Sequence, residues 1–156
     1  MPKVNDGTCH IVGLDLGQVA DPSALCILER SPLPGDAWKF QCRRLRRWPL
    51  GTTYPVIVND VLEVMQLPTL IDPVLAVDQT GVGRPVVDLL RLQVECCFRA
   101  VTITAGFRWT QQPNGDYHVP KKDLVGCLQS LMGHRYLHVA ASLPDAKTLV
   151  EEMQKF

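Results

Sequence analysis

No stretch of the 156 residues stays apolar for the roughly 20 positions that a membrane-crossing helix requires. No G-x-x-x-x-G-K-[ST] loop occurs anywhere, so ATP hydrolysis by a P-loop route is excluded. The six cysteines, Cys9, Cys26, Cys42, Cys96, Cys97 and Cys127, form no C-x-x-C pair and no Cys/His spacing of the zinc type. They sit mostly inside apolar runs, and no signal peptide precedes them, so reduced thiols in the cytoplasm are expected. An excess of charge is lacking too. Lys plus Arg and Asp plus Glu number sixteen each, so no overall positive field announces nucleic acid and only local patches remain to be considered. Internal repeats and low-complexity linkers are absent. What is present is ample apolar mass, 46% of the residues, in a length that suits one compact domain with a single core.

The order of elements follows from periodicity. CHIVGLDL (9–16) and SALCILE (23–29) read as strands joined by the turn-rich GQVADP, and WKFQCRRLRRW (38–48) alternates as a third. From Thr52 the apolar residues Val56, Ile57, Val61, Leu62, Val64 and Met65 recur at helical spacing, with Pro55 in the first turn and Pro68 beyond the end. Pro73 to Val77 is a short buried strand, Arg84 to Val94 an amphipathic helix, and Cys97 to Thr104 a fifth strand rich in β-branched residues. FRWTQQPNGDYHV places two polar-aromatic arms around Asn114-Gly115, a hairpin signal. A helix from Pro120 to about Met132, a short YLHV strand and a helix from Leu143 to Phe156 complete the chain.

Three antiparallel strands followed by strands alternating with helices make a mixed α/β sheet with helices on its faces. A right-handed crossover makes strands four and five parallel. This is the ribonuclease H-like arrangement: five strands, flanking helices and a β-hairpin insertion. In it the first and fourth strands are neighbours at the centre of the sheet.

That adjacency gives two carboxylates a meaning. Asp15 ends the apolar first strand just before Gly17, and Asp78 ends the apolar fourth strand just before Thr80-Gly81-Val82-Gly83. Asp78 alone reads equally as a turn starter or helix cap. As a pair about 4.8 Å apart, the two repel each other unless a cation offsets the charge. Hard oxygen ligands without a His/Cys cluster point to Mg²⁺ or Mn²⁺. Two such ions about 3.5 to 4 Å apart support phosphodiester hydrolysis. Two aspartates are a thin set for that chemistry, which usually draws on a third carboxylate.

The runs IVGLDLGQVADPSALCILE, LAVDQTGVGRPVVDLL and HVPKKDLVGCLQSL together resemble the nuclease domain of phage large terminase subunits, over about Cys9 to Phe156. The resemblance implies a two-metal endonuclease acting on double-stranded DNA. Asp15 and Asp78 match catalytic metal ligands of the family. Asp21 matches an acidic turn residue with a structural or supporting role, and Thr80, Gly81 and Gly83 fall in the turn that supports Asp78. It also implies partners: an ATPase domain, a portal and a small terminase subunit, in the cytoplasm of a bacterial host. The family's third catalytic aspartate lies in a His-Asp-Asp type motif shortly after a helix resembling LVEEMQKF, and no such motif is present. Truncation before that ligand is the expectation, against a natural remnant that has lost it. On either account metal binding is weak and cleavage poor or absent.

Other residues have plainer readings. Glu63 suits a solvated helix face. Asp145, Glu151 and Glu152 lie where a third ligand would be sought, but Asp145 follows Pro144 at a helix start, where capping or dipole compensation explains it more simply. His10, His118, His134 and His138 share no ligand spacing. Arg43, Arg44, Arg46 and Arg47 suit phosphate contacts or protection of a sheet edge equally. Lys121 and Lys122 at a helix N-terminus, with Arg108 and Trp109 in the hairpin arm, are candidates for facing DNA, against a reading as ordinary surface. Three function classes follow. They are a metal-dependent DNA endonuclease domain, an ATP-handling domain of the actin and sugar-kinase superfamily, and an inactive nucleic-acid or protein-binding module on the same scaffold.

Overall fold

The computed structural model describes residues 6–17, 20–81 and 84–155. A single sheet in the order β6-β7-β5-β4-β1-β2-β3-β8 organises them. Its centre follows the expected meander: β1 (Cys9–Asp15) pairs antiparallel with β2 (Ala24–Leu33), and β2 with β3 (Ala37–Arg47). Beyond helix α1 (Tyr54–Met65), β4 (Val74–Asp78) lies parallel to β1. Helix α2 (Arg84–Gln93) then returns the chain to β5 (Cys97–Thr104), parallel to β4.

The sheet is wider than five strands. The Asn114-Gly115 hairpin forms from β6 (Thr110–Gln111) and β7 (Tyr117–Pro120), and β7 pairs parallel with β5, so the hairpin continues the main sheet. On the other edge β8 (Leu137–Val139) follows helix α3 (Lys121–Gly133) and pairs with Phe40 to Cys42 of β3. Helix α4 (Ala146–Met153) is shorter at both ends than the apolar pattern predicts.

Register assigns each strand residue to a face, because successive side chains alternate. Val12 sits opposite Ile27 and Leu75, and Leu14 opposite Leu25 and Val77, while Leu75 and Val77 face Phe98 and Ala100. These residues pack with Ile57, Val58, Val61 and Val64 of α1 and with Val87 and Leu90 of α2 into one continuous core. The odd-numbered positions of β1 and the even-numbered positions of β4 look the other way. Gly13 and Ala76 are register partners on that second face, and the next residues on it are Asp15 and Asp78.

The one carboxylate residue buried among the described residues is paired. Asp116, in the hairpin turn, is 8% exposed, accepts from Asn114 Nδ2 at 2.8 Å and forms an ion pair with Arg91 of α2. Gln79 donates to Thr102 Oγ1 at 3.1 Å and to Asp116 Oδ2 at 3.4 Å, which ties the hairpin to the end of β4. All six cysteines carry free thiols. Among the described residues no helix is long and apolar enough to cross a membrane.

Candidate metal centre at the carboxyl ends of β1 and β4

Asp15 and Asp78 are direct register partners across the parallel β1–β4 pair. Both therefore project from the same face, at the carboxyl edge of the sheet, where open α/β sheets present their ligand sites. A cleft of about 740 Å³ opens over them. Its floor holds Gly13, Ala76 and Cys26, and its walls include Val101 and Ile103 of β5, Leu124 of α3 and Leu149 of α4. The small residues Gly13 and Ala76 keep side-chain bulk off this face beside the two carboxylates.

The two carboxylates differ in surroundings. Partial burial raises the pKa of Asp15, and the negative charges of Asp78 and then Asp21 raise it further. Asp78 Oδ1 accepts from the Thr80 N–H at 2.8 Å, closing the turn after β4. That turn is the plain reading of Asp78, and it engages one oxygen of the carboxylate. Thr80 Oγ1 in turn accepts from the Ile103 N–H at 2.7 Å, which fixes the turn to β5. Gly81 adopts φ +74°, a conformation that suits glycine. Gly83 lies outside the described residues.

The turn after β1 brings in Asp21. A Cβ on Gly17 would stand 1.9 Å from the carbonyl oxygen of Asp21, so the returning chain passes where only glycine leaves room. The Gly17 N–H donates to Ser23 Oγ at 3.0 Å and its carbonyl accepts from the Tyr54 hydroxyl at 3.0 Å. Gly17, Ser23 and Tyr54 thus anchor the Asp21 turn, a role that local sequence pattern does not reveal because Tyr54 reaches it from α1. The Gly17-to-Pro22 turn signal was its only trace.

Asp145 and Glu152 also line the cleft. Of the two plain readings of Asp145, the capping bond does not form: the residue occupies the N-cap position of α4, beside the helix dipole, but makes no side-chain capping bond. Its backbone is left-handed, φ +62°, where a capping residue is normally extended with its oxygen aimed at the first free N–H groups. Glu152 is held 3.2 Å from Arg47 Nη1, joining α4 to β3. Glu151 instead lies 3.8 Å from Lys147 on the exposed side of α4. Among the described residues, no group of three or more His, Cys, Asp or Glu side chains is gathered closely enough to hold a metal ion. The pair itself fits Mg²⁺ or Mn²⁺ in kind, since Mg²⁺ is commonly held by one or two carboxylates with water and substrate phosphate completing its shell.

Of the remaining candidates, Arg46 and Arg47 also line the cleft, and the others do not. Glu63 is exposed on α1, across the sheet from the cleft. His10 is buried, accepts from the Ile71 N–H at 3.0 Å and lies 3.7 Å from Glu29, while His134 stacks on Tyr136. His118 is half-buried on β7, and His138 is exposed on β8. Of the arginine cluster, Arg43 makes a two-pronged bond to Glu29 at 2.8 and 3.0 Å, Arg46 pairs with Asp60, and Arg47 pairs with Glu152. Those three are engaged within the fold, and Arg44 is exposed. Arg108, Lys121 and Lys122 are exposed near the hairpin, with Lys122 Nζ 4.7 Å from the ring centre of Phe107.

No protein-family model and no curated protein matches the sequence. Solved structures do. The human cytomegalovirus terminase nuclease domain, in a form soaked with Mn, superposes with a TM-score of 0.58 over 99% of this chain and 76% of that one, at 12% identity. A second structure of that domain gives a TM-score of 0.55 at 15% identity, over 96% and 73% of the two chains. At such identities the likeness is one of fold. The chain has the ribonuclease H-like fold of a terminase nuclease domain.

Proposed function

We propose that this domain is a divalent-metal-dependent endonuclease that hydrolyses phosphodiester bonds in DNA. One observation carries the reading: the register that makes Asp15 and Asp78 partners on one face of the sheet, at the floor of an open cleft. Burial first and the neighbouring charge of Asp78 second raise the Asp15 pKa, and a cation shared by the pair would offset both. Asp15 and Asp78 would hold Mg²⁺ or Mn²⁺, which would supply an activated water and charge neutralisation at the leaving oxygen. Asp21 adds negative charge beside Asp15, and Thr80 with Gly81 holds Asp78 in its turn.

Arg108, Lys121 and Lys122 on the neighbouring rim contact the DNA backbone. The likeness to a viral terminase nuclease domain supports a setting in DNA packaging, with a separate ATPase domain, a portal and a small terminase subunit as partners in the host cytoplasm. A second reading, an inactive nucleic-acid-binding module, is favoured by the absence of a three-carboxylate group among the described residues. Nicking of supercoiled plasmid decides between them. Mn²⁺-dependent nicking that disappears in Asp15→Asn and Asp78→Asn supports the endonuclease; equal traces in all three proteins reject it.

A further inference from the structure

We infer that the loop joining β5 to β6, residues 105–109, is a stacking platform for unpaired bases, so that the substrate is DNA locally single-stranded beside the cleft. This rests on the nucleic-acid reading above and goes beyond it in naming the form of the substrate. Phe107 is 85% exposed and Trp109 62% exposed, on one short loop with Arg108 between them. Single exposed apolar residues are ordinary, but two large aromatic rings on one five-residue loop present a concentrated apolar surface that remains largely open to solvent.

Cations accompany the rings. Lys122 Nζ lies 4.7 Å from the centre of Phe107, Trp109 stands 6.5 Å from Tyr117, and the Arg99 guanidinium lies 5.8 Å from Tyr117. Arg99, Arg108, Lys121 and Lys122 accompany the rings, against Asp123 in the first turn of α3 and Asp116, which is paired with Arg91. Rings interleaved with cations fit one occupant best, a strand that offers base faces and phosphates together.

The loop stands at the cleft. β5 runs parallel to β4, and Val101 is the register partner of Asp78. Three residues later β5 ends at Thr104, about 10 Å further along the strand direction, and the aromatic loop begins. Val101 and Ile103 line the cleft on the way, and Leu124, one turn into the helix that carries Lys122, closes the same wall. A strand running from the carboxylates along this wall therefore meets Phe107 and Trp109. Within an intact duplex both faces of each base are covered by neighbours, so the rings gain nothing from it; an unstacked base offers a free face.

Binding without metal tests this. Fluorescence anisotropy in EDTA compares labelled oligo-dT with a duplex closed by hairpins at both ends, for the wild type, Phe107→Ala, Trp109→Ala and Lys122→Ala. The two aromatic variants, altered at exposed positions, are expected to keep their thermal melts and lose about fivefold to a hundredfold in oligo-dT affinity. Their closed-duplex affinity should change by less than about twofold, and their salt slope should stay unchanged, whereas Lys122→Ala should shed about 0.7 from that slope on the single strand. Equal losses on both DNAs, or no loss on oligo-dT, overturn the platform. The two proposals fail separately. Nicking that depends on Asp15 together with oligo-dT binding indifferent to Trp109 sinks the platform alone, and selective oligo-dT loss without Asp15-dependent nicking sinks the endonuclease alone.

Discussion

Replacing Asp15 by Asn removes a charge that the folded protein holds at a cost, so the variant is expected to melt higher than the wild type in metal-free buffer. Burial contributes to that cost first, and the like-charge part of it follows from the register. For two unit charges about 4.8 Å apart, Coulomb's law gives about 0.9 kcal/mol in bulk water and about 3.5 kcal/mol at an effective dielectric constant of 20. Asp15 is open to the cleft, so screening by solvent holds the repulsion near the lower figure. About 1 kcal/mol shifts the melting temperature of a domain this size by about 2 to 4 °C. The sign with pH is fixed by the raised pKa of Asp15. Below the ordinary carboxylate value both states are protonated and no penalty exists; as pH rises through the interval up to the elevated folded value, the wild type loses this stability. The advantage of Asn should therefore grow across that interval and then level. Mn²⁺ should reverse the ranking by raising the wild-type melt while leaving Asp15→Asn unmoved. Differential scanning fluorimetry across pH, with and without Mn²⁺, reads all of this. A variant that melts no higher than the wild type in EDTA, or that gains as much from Mn²⁺, refutes the reasoning.

Two further substitutions probe the supports of the site. Gly17→Ala forces a methyl group onto the Asp21 carbonyl, so a loss of about 1 to 3 kcal/mol is expected, with a smaller Mn²⁺-induced rise in melting temperature as Asp21 moves. A wild-type melt and an unaltered response to Mn²⁺ would contradict it. Leu75→Ala, at a fully buried position of β4 in the helix-packed core, is expected to cost about 2 to 5 kcal/mol in urea unfolding. A cost below about 1 kcal/mol would place that face outside the core.

The central strands were legible because their signal is local. An apolar run such as IVGL or VLAV, ended by a carboxylate and then a glycine-rich turn, marks both a strand and its functional end. Adjacency of Asp15 and Asp78 followed from matching the element order to the ribonuclease H-like arrangement, in which the first and fourth strands are neighbours; the crossover rule itself made strands four and five parallel. The rest depends on pairings remote in sequence. The hairpin joins the main sheet only because Tyr117 finds Val101, and β8 because Leu137 finds Phe40. The arginine run suited phosphate contacts and edge protection equally, and neither reading anticipated that Glu29, Asp60 and Glu152, brought in from other elements, engage Arg43, Arg46 and Arg47. Asp145 kept the N-cap position while its left-handed backbone denied it the capping bond. Gly13 and Ala76 carried no signal alone, because a small residue matters only once its register partner is small as well.

The hydrocarbon that α1 and α2 cover lies entirely behind the strands, while the acidic cleft lies in front. Endurance and chemistry are thereby assigned to separate sides of a single plane. A lineage is free to redraw the front, exchanging ligands, deepening the basin or silencing it, without disturbing what keeps the plane upright. The same partition lets such a scaffold outlive its own reaction, persisting as a shaped surface after the last ligand has drifted away.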